Sequence, residues 1–234
     1  MKTRIFLLIM SVALSSSIAF AQTNSFDKDA VPWHKKAVMT CGMLQDMTTF
    51  HQHIMVKNLD ELSIGLKALK DKYADNPPVE YANDPLWKSY FEDLADNIAI
   101  VKERVEYKKY RLVQNYCGNF CRIFGRMHKN NGITDLTDMM FSLRAEIRGT
   151  MDMYNAGNYK GAKGSLIVIR TLLKKVDEEG KAFRNRNFDA AFEPLKSAAA
   201  KWIGSIEEND SASVREHFNF FTNTFPKPYG ITLQ

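Results

Sequence analysis

Proline is distributed along this chain in a way that leaves long uninterrupted spans, which favours helices. All seven prolines fall at the start, in two connections and towards the end: Pro32, then Pro77-Pro78 and Pro85, then Pro194, Pro226 and Pro228. Proline has no amide proton to give to a helix or sheet ladder, so it punctuates regular structure where it falls. The long spans between carry apolar residues at steps of three and four, which is the helical period. Together these features predict an all-α fold.

Residues 38–56 form the first expected helix. Asn58-Leu59-Asp60-Glu61 has a capping-box pattern and opens a second, with Leu59, Leu62, Leu66 and Leu69 following at helical spacing. Asp84-Pro85 reads as the N-cap and first position of a third helix, whose face carries Phe91, Leu94, Ile98 and Val101. A fourth contains Cys117 and Cys121 and stops at Asn130-Asn131-Gly132. Between the third and fourth a turn is needed near residues 103–109. Without it one helix of about 40 residues results, which would bury its faces against a partner chain and make a homodimer.

The second half follows the same plan. Asp135-Leu136-Thr137-Asp138 starts a helix that runs to Tyr154, and Asn155-Ala156-Gly157-Asn158 turns the chain into another through Leu166, Ile169 and Leu173. Phe188 to Ile206 and Ser211 to Thr224 complete the set. Phe91-Glu92-Asp93-Leu94 and Phe192-Glu193-Pro194-Leu195 match locally, a period near 100 residues. The expected architecture is therefore two tandem four-helix-bundle-like units, residues 38–130 and 133–230.

Ahead of both stands Met1-Lys2-Thr3-Arg4, an apolar stretch from Ile5 to Leu14 and a small-residue site at Ala19-Phe20-Ala21. That order is a secretory signal peptide, residues 1–21. The apolar stretch is short for a span, and no later segment approaches the ~20 apolar residues a spanning helix needs. A soluble mature protein, periplasmic or secreted, is expected.

With Lys2 and Arg4 removed, 30 basic residues face 27 acidic ones, and no basic stripe with interleaved aromatics points to nucleic acid. Lys35-Lys36, Lys108-Lys109 and Lys174-Lys175 read as solvated helix faces. Hydrolase and transferase motifs are missing: there is no Gly-x-Ser-x-Gly, phosphate loop or His-Glu-x-x-His. The chain does not read as an enzyme.

Three cysteines, Cys41, Cys117 and Cys121, entering an oxidising compartment leave two readings: one disulfide with a spare thiol, or a ligand cluster. Cys117, Cys121 and His128 fall within about 40° on one helix face. In an up-down-up-down bundle, the end of the fourth helix lies beside the start of the first, which brings Cys41 and Met43 to them. A second feature is the series Met39, Met43, Met47, His51 and Met55, either a flexible core seam or a thioether site for Cu(I). The corresponding end of the second unit, Thr222 to Tyr229, has neither cysteine nor histidine, so one site is expected.

The order of helices, the Asn76-Pro77-Pro78 connection and the helix starts around Met43 and Asp135-Leu136-Thr137-Asp138-Met139-Met140 resemble the soluble four-helix cytochromes, cytochrome c′ and its periplasmic b-type relative. The segment from Lys109 to His128 is similar to that family's last helix without a gap. The resemblance implies a haem- or metal-binding bundle for redox or small-ligand chemistry, with Met43 and His128 as iron ligands and a redox protein or another envelope protein as partner. Cys117, Cys121 and Cys41 are the alternative metal ligands, for copper. The covalent-haem motif is missing, since Cys117 and Cys121 are one residue too far apart and Arg122 follows. The rival reading is a cytochrome-like bundle without cofactor that acts as a structural or interaction module. The mature chain is expected to begin at Gln22, which N-terminal mass spectrometry of the periplasmic fraction reads directly; a chain intact from Met1 would refute the leader assignment.

Overall fold

Apolar faces, more than local breakers, decide where helices run in this protein. The computed structural model describes residues 25–45 and 47–233, so the leader reading of residues 1–21 lies outside the described residues. Within them the chain is all-α, with α1 (Ser25–Gly42), α2 (Gln52–Tyr73), α3 (Trp87–Glu106), α4 (Tyr110–Asn130), α5 (Leu136–Asn155), α6 (Tyr159–Phe183), α7 (Arg186–Glu208), α8 (Ser211–Thr224) and α9 (Pro226–Thr232), and with no strand among the described residues. No described helix is long and apolar enough to cross a membrane.

The helix ends in the second half obey their sequence signals. Asp135 caps α5 by accepting hydrogen bonds from the amides of Thr137 and Asp138, and Asn185 and Asp210 do the same for α7 and α8. Gly132 and Gly157 take positive φ at the turns that follow α4 and α5. The turn sought near residues 103–109 is present, with Lys108 in the left-handed region between α3 and α4. The long single helix does not arise.

The first half departs from expectation at its start. The helix expected at 38–56 is two pieces, because α1 begins at Ser25 and ends at Gly42, a short 3-10 helix covers Met43–Gln45, and α2 begins at Gln52. Pro32 lies inside α1 and Pro194 inside α7. Each removes one helical hydrogen bond, yet Phe26, Ala30, Trp33 and Ala37 are buried on both sides of Pro32. Phe188, Ala191, Leu195 and Ala198 do the same around Pro194. Continuous burial of a helix face outweighs one missing backbone bond. The capping pattern at Asn58 falls inside α2. Asp84-Pro85 also sits ahead of its helix: Asp84 Oδ1 accepts from the Leu86 amide in the turn before α3.

Two clusters of buried side chains organise these helices. In α1 to α4, each helix packs on the next and α4 returns to α1. Their core centres on Phe26, whose ring meets Tyr73, Tyr81, Trp87 and Phe91 edge-on. The second core is built by α5 to α9 around Trp202, Phe188, Phe221 and Phe225. There α7 packs on both α8 and α9, and α9 reaches back to α5. Gly180 of α6 admits the Phe188 ring directly over its backbone, where a Cβ would collide.

A covalent staple crosses the first core. Cys41, at the end of α1, is bonded to Cys117 of α4, with Cα atoms 5.7 Å apart and a separation of 76 residues in sequence. Closing a loop of that size in the unfolded chain is worth about 4 kcal/mol. Reduction, or the pair Cys41→Ser/Cys117→Ser, is expected to lower the unfolding free energy by about 2–5 kcal/mol in urea melts; an unchanged midpoint would show that the bond carries no stability.

Candidate functional site

The polar chemistry of this protein is concentrated where the two cores meet, at the adjoining ends of α1, α4 and α5. His128 stands in the last turn of α4, where the carbonyl end of the helix favours a cation. Asp27 stands in the first turn of α1 and Asp138 in the first turn of α5, where amide ends favour anions. The imidazole lies between them, with Nδ1 2.5 Å from Asp138 Oδ2 and Nε2 3.3 Å from Asp27 Oδ1. Tyr81 donates its hydroxyl to the same Asp27 oxygen at 2.7 Å. Only 9% of the His128 side chain is exposed, against 14% and 18% for the two aspartates.

Burial works against an imidazolium here, but the hydrogen bonds and charges of Asp138 and Asp27 outweigh it and raise the His128 pKa to about 10. Burial also pushes against the Asp138 carboxylate. The proton nevertheless belongs to His128, because a carboxylate faces each of its nitrogens. The result is a buried cation bridging two anions and three helix ends.

About two helical turns away along α1 and α4 lies a second, neutral chain of contacts. His34 of α1 approaches Cys121 Sγ through Nε2 at 3.4 Å, and the Tyr229 hydroxyl of α9 meets the same sulfur at 3.2 Å. The His34 ring stacks on Phe124 at 4.6 Å. Burial, with the nearby charge of His128, lowers the His34 pKa to about 3. Burial likewise raises the Cys121 thiol to about 11, against the Tyr229 hydrogen bond and the Arg144 charge. At neutral pH the sulfur is a buried thiol, which suits a packing contact better than nucleophilic attack.

The structure does not gather the five expected ligands. Cys41 and Cys117 are joined to each other, and Cys121, the free cysteine, turns to the second core. Met43 lies beyond the other end of α1, its Sδ accepting a weak hydrogen bond from Asn58 Nδ2 at 3.6 Å. Asp27, which touches His128, and Met43 are separated by about 24 Å along α1 at 1.5 Å per residue. One iron cannot take both Met43 and His128. The topological expectation was sound, because the end of α4 does lie beside the start of α1; but that start is Ser25, so Asp27 occupies the place expected of Met43. Both nitrogens of His128 are also engaged. A haem held by these two residues does not fit.

The methionine series is divided by the same break. Met55 is a core residue, while Met39 and Met47 remain exposed, at 65% and 50%. Among the described residues, no group of three or more His, Cys, Asp and Glu side chains is arranged to hold a metal ion; Asp27 and Asp138 lie on opposite nitrogens of His128 and do not converge. No protein-family model, curated protein or solved structure matches the chain significantly. The likeness to the four-helix cytochromes therefore rests on the sequence pattern.

Asp27 and His34 escaped sequence reasoning because both precede the first expected helix. Asp138 was read as part of a helix start and Tyr229 as part of an end without cysteine or histidine, and nothing local shows that these residues meet. The bridge has a pH signature. An unfolded His128 loses its proton near pH 6.5, whereas the folded one keeps it to about pH 10. The stability it contributes is therefore fully present below pH 6.5 and is lost as pH rises towards 10. His128→Gln is expected to flatten that decline and to cost about 3–5 kcal/mol near neutrality, as removal of one member of a buried ion network does. Equal slopes for the two proteins in urea melts from pH 6 to 10 would remove the imidazolium from this account.

Proposed function

We propose that this chain is an exported, disulfide-stapled helical protein that holds no cofactor in its cores and works as a structural or interaction module of the cell envelope. The observation supporting this reading is that the cysteine and histidine donors expected of a buried site are already engaged within the protein. Cys41 and Cys117 are consumed in the disulfide, Cys121 is a buried protonated thiol against Tyr229 and His34, and His128 offers both nitrogens to aspartates. The disulfide is in keeping with an oxidising compartment.

An absorption spectrum decides between this and the cytochrome-like alternative. Protein purified from a haem-competent periplasm, and the same protein titrated with haemin, is expected to show no Soret band attributable to axial ligation. A stoichiometric Soret band that disappears in His128→Ala would overturn the proposal.

A further inference from the structure

One set of soft and imidazole donors is left out of the buried networks. His51 occupies the N-cap of α2 in an extended conformation, with φ −120° and ψ 107°, and its side chain makes no capping hydrogen bond. His53 follows in the first turn. Both side chains are exposed, and neither is hydrogen-bonded or ion-paired to a described residue. The two rings nevertheless lie together, with centroids 5.8 Å apart and planes inclined by 42°.

That spacing falls in the range that two imidazoles on one metal ion adopt. With metal–nitrogen bonds of about 2.0 Å, two imidazoles on one ion have ring centres about 6 Å apart when they lie opposite and about 5 Å apart at a tetrahedral angle. The backbone helps to fix the pair. Gln52, between the histidines, donates to the Glu106 carbonyl and accepts from the Tyr110 hydroxyl. This holds the start of α2 against the α3–α4 turn. Met47, half exposed, lies four residues before His51 in the same connection.

The donor types choose the metal. Imidazole suits copper, zinc and nickel, a thioether selects Cu(I), and copper heads the affinity order of the divalent series. The first turn of α2 contains no acidic residue, so it gives calcium or magnesium no carboxylate oxygen to bind. We propose that His51 and His53 form a surface copper site, with the Met47 thioether as third donor for Cu(I). This site is separate from the buried donors and does not depend on how the cores are read.

The test uses metal-free mature protein under anaerobic conditions, with Cu(I) partitioned against a colorimetric chelator and Zn(II) titrated in parallel. One Cu(I) per chain is expected. His51→Ala/His53→Ala should weaken it by at least about 100-fold, beyond the loss an outer-shell partner causes. Met47→Leu should weaken Cu(I) by about 10-fold and leave Zn(II) unchanged. His128→Gln should leave Cu(I) affinity unaltered. Circular dichroism of the double variant should match that of the parent, since both rings are exposed. Failure of the parent to compete for Cu(I), or a double variant that competes equally well, would overturn the assignment.

Discussion

A buried cation holds this protein in register. The His128 imidazolium touches the first turn of α1 through Asp27 and the first turn of α5 through Asp138, while itself ending α4. Three helix termini whose dipoles complement the charges are thereby fixed to one ring. Neither aspartate tolerates so dry a position without its partner, nor does the imidazolium. The adjoining ends of α1, α4 and α5 are tied together by that mutual need.

Beside the charged bridge, the neutral contact of His34, Cys121 and Tyr229 shows how burial sorts similar side chains into different roles. His34 and His128 both lie at the α1–α4 seam. One faces a thiol and an aromatic ring and is held uncharged, and the other faces carboxylates and is held charged. Cys117 and Cys121 are separated by a single helical turn, yet one is oxidised within the first core and the other is sheltered in the second. Residue type alone assigns neither role.

That contrast explains what could be read from the chain beforehand. The all-α class, the α3–α4 turn, the Asp135 cap and the approximate limits of α5, α7 and α8 are local matters, governed by caps, glycines and apolar period, and these were legible. The start of α1 was not, because Pro32 is a local breaker overruled by the burial of Phe26, Ala30 and Trp33. From that one displacement came the misplaced ligand pair. Moving the start of the first helix back by about two heptads put Asp27, and not Met43, next to His128. The ligand-like spacing of Cys117, Cys121 and His128 was real as helix geometry and uninformative as chemistry, since the identity of each neighbour is set by helices distant in sequence.

The position of Tyr229 has a consequence for the order in which the protein must be made. Cys117 and Cys121 lie one helical turn apart on α4, so both thiols are close at hand when the bond to Cys41 forms in the oxidising compartment. What shelters Cys121 is a residue 108 positions further along, in the last helix. Until α9 docks, the spare thiol has no cover from that side and can compete for Cys41 or attack the newly formed bond. The last helix thus shelters a thiol set early in the chain, so the choice between two neighbouring cysteines is completed only when the C-terminus packs.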